Sequence, residues 1–255
     1  MSSGNSILRN FRAALKMILF FGSACGLYAF YVIGSFFFRR PAHRQKEVFG
    51  RIARIFVKIS GMRVEVCGKP PRPPFLLVSN HLGYVDIAAL RSVSETVFVA
   101  KSDVRKWFLA RRIISDMGTI FTDRNNRRDI LRTQTAIIEK LQTGEAVTFF
   151  PEGTSMSGKE VLKFNSSLFD FAAKKNLPVY FAAINYQTGS EDLGASQAIC
   201  WWDETTFLRH LWRLFGLKAF SAGIIFGEQP VMNSDRKELA RQLYDAVSRN
   251  FIPLD

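Results

Sequence analysis

Asn80-His81-Leu82-Gly83-Tyr84-Val85-Asp86 sets a histidine five residues ahead of an aspartate, just after the apolar run Phe75-Leu76-Leu77-Val78. A histidine can take a proton near neutral pH. A carboxylate beside it can fix its tautomer and stabilise its charged form. The pair is a base with its orienter and no nucleophile of its own, so the substrate has to supply one, most simply a hydroxyl. The apolar run reads as a buried strand, and the pair falls at its carboxyl end, where α/β proteins build their sites.

Three more segments share that kind of placement. Gly118-Thr119-Ile120-Phe121-Thr122-Asp123-Arg124 puts an arginine just beyond a strand, and a guanidinium can grip a phosphate or carboxylate with two parallel hydrogen bonds. Phe149-Phe150-Pro151-Glu152-Gly153-Thr154-Ser155 also follows a strand. Its glycine permits close backbone approach, with Glu152 and Thr154 as polar groups at the same edge. Leu177-Pro178-Val179 opens another strand, where a proline is tolerated. Singly, each has a plain alternative: a solvated arginine, a turn, a strand start.

The elements that must hold these residues alternate in type. Strand patterns fall at Arg63–Cys67, Phe75–Ser79, Thr96–Ala100, Thr119–Thr122, Ala146–Phe150, Pro178–Ile184, Gln197–Trp202 and Phe220–Phe226. Helical periodicity predicts helices over Arg127–Gln142 and Phe164–Lys175, and a last helix capped by Ser234. The expected fold class is therefore α/β, with a largely parallel central sheet flanked by helices. Trp201, Trp202, Phe207, Leu211, Trp212, Leu214 and Phe215 form an aromatic-rich patch. It reads as a helix packed on the sheet, with a membrane- or acyl-chain-facing surface as the alternative.

The N-terminal third is different. Met17 to Phe38 is 22 residues without a charge, about 33 Å as a helix and enough to cross a bilayer core. Its length and the Phe36-Phe37-Phe38-Arg39 ending do not suit a cleaved signal peptide. Arg9, Arg12 and Lys16 precede it; Arg39, Arg40, Arg44 and Lys46 follow. The heavier cluster after the run places the C-terminal domain in the cytoplasm, at a cell inner membrane. Gly22 and Gly26 read as glycines that merely occur in an apolar helix, with close approach of a second helix as the alternative. His43 to Gly61 is amphipathic, suited either to the interface or to packing on the domain with its basic face in water. A hairpin of both helices in one leaflet is equally consistent. The expected organisation is a membrane-associated helical region over 1–61 and a catalytic α/β domain over 62–255.

The net charge of +13 is concentrated in that region: residues 1–70 hold 12 Lys and Arg against 2 Asp and Glu. Cations flanking an apolar run point to anionic lipid head groups rather than nucleic acid. The three cysteines, Cys25, Cys67 and Cys200, are too scattered for a disulfide framework, and with three histidines in all no metal site is expected.

With its four ordered blocks, NHLGYVD, GTIFTDR, FPEGTS and LPV, the chain resembles the lysophospholipid acyltransferase family, of the bacterial 1-acylglycerol-phosphate acyltransferase type. The resemblance runs from about residue 60 to 230. It implies that His81 is general base on an acceptor hydroxyl and that Asp86 orients it. The hydroxyl then attacks the thioester of acyl-CoA or acyl-carrier protein, with no other cofactor. It also implies that Asn80, Thr122, Asp123, Arg124, Glu152, Gly153 and Thr154 line the substrate site, with Arg124 on the acceptor's phosphate. Backbone amides or Asn80 would stabilise the oxyanion. Two positions depart from the pattern: Ser155 stands where many members have arginine, and Gly83 where many have serine. The stretches FPEGTSMSGKEVLKF and WWDETTFLRHLWRLF look more like the lyso-ornithine-lipid acyltransferase branch. Arg127, Arg128, Lys159 and Lys163 are candidates for the missing charge. The expected activity is O-acyl transfer to a lysolipid, lysophosphatidic acid first and lyso-ornithine lipid second. A phospholipid transacylase and a non-catalytic lipid-binding membrane protein are the other readings.

Overall fold

The computed structural model describes residues 3–37, 42–103, 108–190 and 192–254. Among them, seven strands form one sheet in the order β1-β7-β6-β2-β5-β3-β4. The strands are β1 (Met62–Cys67), β2 (Leu76–Ser79), β3 (Val97–Lys101), β4 (Ile120–Thr122), β5 (Val147–Phe149), β6 (Val179–Thr188) and β7 (Phe220–Phe226). Every neighbouring pair is parallel except β6 and β7. β2, β4 and β5 are buried at every position, as strands covered on both faces must be. All three point their carboxyl ends the same way, so NHLGYVD, GTIFTDR and FPEGTS leave the sheet at one edge.

The helices are α1 (Ser3–Phe37), α2 (Ala42–Ser60), α3 (Tyr84–Val93), α4 (Phe108–Asp116), α5 (Arg127–Gln142), α6 (Asp170–Lys174), α7 (Ala195–Ala198), α8 (Phe207–Gly216) and α9 (Arg236–Asn250). α5 begins where Asn126 accepts from the backbone N–H groups of Arg128 and Asp129. α9 is capped by Asp235, one residue beyond Ser234, because its carboxylate reaches the N–H groups of Lys237 and Glu238 at 2.8 and 2.9 Å.

Two expected elements differ. Gln197–Trp202 is not a strand. Ala195–Ala198 makes one helical turn, and Ile199 and Cys200 are buried without a ladder partner. Burial, rather than pairing, explains the apolar run. Phe164–Lys175 is not one helix either. Asn165 caps a 3-10 turn at Ser166–Phe169, which hands over to the short α6, since a side chain bonded to its own backbone competes with helix propagation.

α1 is longer than the uncharged run and takes in Arg9, Arg12 and Lys16. One face docks on the domain. Ala13 is buried, Met17 and Phe20 pack against the core, and the Phe20 ring meets Phe56 and Phe215 edge-on. Arg12 donates to the Gly216 carbonyl at 2.9 Å, and Lys16 to those of Ser60 and Leu217 at 2.7 and 2.8 Å. Further along, the Tyr28 hydroxyl donates to Asp116 at 2.6 Å. The other face carries exposed Ile7, Phe11, Leu15, Ile18, Phe30 and Ile33. Nothing lies within 4 Å of where a side chain would start at Gly22 or Gly26. Arg39 and Arg40 lie outside the described residues, as does the side chain of Arg44.

α2 turns its apolar face inward. Phe49, Ala53 and Phe56 are buried and Arg51 and Arg54 exposed, so its amphipathicity is used by the domain. The turn from α2 into β1 is Gly61, whose φ of 83° and contact with the Lys218 carbonyl leave no room for a side chain. α8 follows the expected packing of the aromatic patch: Leu211, Leu214 and Phe215 are buried, while Trp202 and Trp212 stay partly in solvent.

Candidate active site

β2 ends at Ser79 and α3 begins at Tyr84, so His81 sits on the short connection between them. Asp86 lies in the first turn of α3 and is fully buried. His81 Nδ1 and Asp86 Oδ2 are 2.8 Å apart. The same oxygen accepts the N–H groups of Leu82 at 2.7 Å and Gly83 at 3.0 Å. Asp86 Oδ1 accepts the Tyr186 hydroxyl at 2.8 Å. Four groups converge on this one buried carboxylate and fix its position. With Nδ1–H committed to Asp86, the free lone pair of the imidazole is on Nε2. The ring stacks on Phe150, centroids 4.1 Å apart, and its side chain is 21% exposed. The base therefore has a rigid mount and an open edge.

Asn80 does something different. Its Oδ1 accepts the Ile184 N–H at 2.8 Å, and its Nδ2 donates to the Ile184 carbonyl at 2.9 Å. That pairing continues the β2–β6 ladder with a side chain and occupies most of the amide.

Glu152 faces the peptide that carries the histidine. Its Oε1 accepts the His81 N–H at 2.7 Å and its Oε2 the Leu162 N–H at 2.8 Å. Met156 N–H returns to the His81 carbonyl at 3.0 Å. The FPEGTS loop thus clamps both sides of the histidine's backbone. Burial pushes the Glu152 carboxyl up to about 7, the two N–H donors work against that, and the nearby Asp86 adds to it. Ser155 donates to the Trp201 carbonyl, and the Trp201 N–H donates to the Leu82 carbonyl at 2.8 Å. Ser155 thus ties this loop to the one after α7. A Cβ on Gly83 would come within 3.1 Å of the Trp201 nitrogen, which fits the glycine found there.

Arg124 lies over Gly153. One N–H donates to the Phe150 carbonyl at 3.2 Å, while Nε and Nη1 are buried with no acceptor among the described residues. Gly153 has φ at 89°, a conformation that favours glycine, and its missing Cβ leaves the space that the Arg124 guanidinium takes. Burial lowers the Arg124 pKa from its ordinary value. A guanidinium held this way keeps donors that are not spent inside the fold. Thr122 is buried at the end of β4, its hydroxyl also unpaired among the described residues. Asp123 caps the turn beyond it by accepting the Asn125 N–H at 3.0 Å. Thr154 is exposed and bonds only weakly to the Ser155 carbonyl at 3.5 Å.

The fold thus gathers His81, Asp86, Glu152, Gly153 and Arg124 around Phe150. Asn80 faces β6, Asp123 is half-buried in the turn after β4, and Thr154 is exposed. Tyr186 and Phe150 completed the site without being singled out in the sequence. A tyrosine inside the apolar β6 is a weak local signal; its partner is 100 residues away. Tyr84, inside the first block, hydrogen-bonds His210 Nδ1 at 2.9 Å. Burial pushes His210 down to about 4, so that histidine is a neutral structural link.

A family profile described as Acyltransferase matches residues 62–185. A 1-acyl-sn-glycerol-3-phosphate acyltransferase of Neisseria meningitidis serogroup B is 32% identical over 190 residues, spanning 73% of this chain and 72% of that protein. A lyso-ornithine lipid O-acyltransferase of Pseudomonas aeruginosa is 34% identical over 205 residues, 80% of this chain and 78% of that one. Among solved structures, the 1-acyl-sn-glycerophosphate (LPA) acyltransferase PlsC of Thermotoga maritima matches with a TM-score of 0.69 at 22% identity, over 95% of this chain and 96% of that chain. At that identity the match speaks for the fold.

Proposed function

We infer that this chain, which belongs to the acyltransferase family, moves a fatty acyl group onto the hydroxyl of a lysolipid at a membrane surface. The observation that carries the mechanism is the His81–Asp86 pair with Nε2 unspent. In this reading the acceptor hydroxyl gives its proton to Nε2 as its oxygen attacks the thioester carbonyl. The tetrahedral intermediate collapses, the carbon–sulfur bond breaks, and the departing thiolate takes the proton back from the imidazolium. Acyl-CoA or acyl-carrier protein is the donor. No acyl-enzyme forms, because the acceptor is itself the nucleophile.

Arg124 receives the acceptor's anionic head, which completes its unused donors. Lysophosphatidic acid satisfies this best. Lyso-ornithine lipid is the second reading, and Ser155 favours it: a neutral residue here leaves one cation fewer for a phosphate. Relatives at comparable identity carry both names.

The membrane reading places α1 in one leaflet on the cytoplasmic side of the inner membrane. Arg12, Lys16 and Tyr28 tie α1 to the domain along its length. The part beyond Phe20 is about 26 Å long at about 1.5 Å per residue, short of a hydrocarbon core of roughly 30 Å.

The test offers purified protein labelled acyl-CoA and acyl-carrier protein with each lysolipid. Labelled diacyl lipid is expected, and His81→Ala should lower the rate roughly 10²–10⁴-fold. No diacyl product from any pair would overturn the reading.

A further inference from the structure

Where α1 meets α8, a cavity of about 460 Å³ opens to the surface. Five cations line it: Arg9 and Arg12 from α1, Arg209 and Arg213 from α8, and Lys218 just after α8. Asp192 is the one carboxylate in its described lining. None of these residues belongs to the His81 site.

Capping of a helix end explains only part of this charge. Arg12 is engaged with the Gly216 carbonyl at the C-terminus of α8, a normal use of a cation. Arg213 reaches Asp203 only at 3.9 Å, and its Nε is buried with no acceptor among the described residues. Arg209 and Lys218 are exposed at the rim. Cations gathered this closely repel one another unless an anion joins them. Arginine supplies the planar fork that grips phosphate oxygens in pairs.

The surroundings select the kind of anion. The cavity is large for inorganic phosphate and within the range of small-ligand sites. Leu8 and Trp212 line its apolar side and are exposed, as is Leu208 nearby. Phe11 and Leu15 continue the exposed apolar face of α1 away from it. Charged head and apolar path are thus arranged as in a glycerophospholipid.

We propose that this cavity is a second anion site, taking the phosphate of an anionic phospholipid whose chains follow the apolar face of α1. It holds the enzyme against anionic membrane and acts independently of the transfer reaction.

The experiment titrates the full chain, in micelles of a neutral detergent, with phosphatidylglycerol, phosphatidylcholine and inorganic phosphate, reading binding by calorimetry. Phosphatidylglycerol should bind at least about tenfold tighter than phosphatidylcholine, and the double variant Arg209→Gln/Lys218→Gln should lose that preference. Arg51→Gln/Arg54→Gln removes the same charge from α2 and should leave it intact. So should His81→Ala, which separates this result from the fate of the acyltransferase reading. Inorganic phosphate competing at equal affinity would keep the site and assign it to a free anion. Equal affinity for both lipids, or an unchanged preference in Arg209→Gln/Lys218→Gln chains that keep their melting temperature, would overturn the proposal.

Discussion

Asp86 does more than face a histidine. Its two oxygens take His81, two backbone N–H groups and the Tyr186 hydroxyl, so the placing of the imidazole also depends on a tyrosine 100 residues away. Tyr186→Phe removes one hydrogen bond to a buried carboxylate, a contact worth about 1.5–3 kcal/mol. We expect kcat to fall roughly 10–100-fold with KM little changed, and steady-state kinetics on a folded variant will check it. Glu152 makes a pH prediction. Its folded pKa of about 7 lies above the ordinary 4.5, so the folded chain binds the extra proton. Stability is then fully supported below pH 4.5 and declines as pH rises toward 7, by on the order of 3 kcal/mol. Glu152→Gln should flatten that slope in thermal melts taken across pH 4.5–7.

At the scale of elements, α1 is a helix with two apolar faces of different use. Ala13, Met17 and Phe20 serve the core, and Ile18, Phe30 and Ile33 face outward. Charge on the outer face should release the protein from membranes without unfolding it. Ile18→Asp/Ile33→Asp is expected to shift the chain out of the floated fraction in vesicle flotation while leaving its circular dichroism unchanged. Ala13→Leu acts on the inner face. It overpacks a closed contact at a cost of about 1–3 kcal/mol, so the melting temperature should drop with flotation unaffected. The contrast in α2 comes from the same physics: its apolar side is already covered by α1 and α3, so only its cations face outward.

For the whole molecule, the N-terminal helices and the α/β layers share one core. Phe20, Phe56 and Phe215 come from α1, α2 and α8 and meet in one aromatic cluster. A chain beginning at residue 42 would expose that cluster and free the carbonyls that Arg12 and Lys16 cap. It is expected to aggregate on expression, whereas the full chain extracts intact in mild detergent. Size-exclusion chromatography of the two will decide.

Much of this was legible in the sequence because it is local. Strand patterns, the span of α5 and the positions of the four blocks depend on neighbours a few residues apart, and the apolar runs before the blocks placed them at strand ends. His81 and Asp86, five residues apart, could be paired for the same reason. Side-chain partners across the fold could not. Nothing local tells that Asn80 pairs with Ile184, that Glu152 grips the His81 backbone, that Ser155 bonds Trp201, or that Tyr186 holds Asp86. Gln197–Trp202 was misread for a related cause: a buried irregular segment has the apolar content of a strand, and only the absence of a ladder partner distinguishes it. The sequence by itself offered the groups: an imidazole, a carboxylate five residues on, and an arginine just beyond a strand. The tertiary structure decided which groups are spent on holding the fold and which remain for substrate, because a hydrogen bond already made inside the protein is unavailable to a ligand.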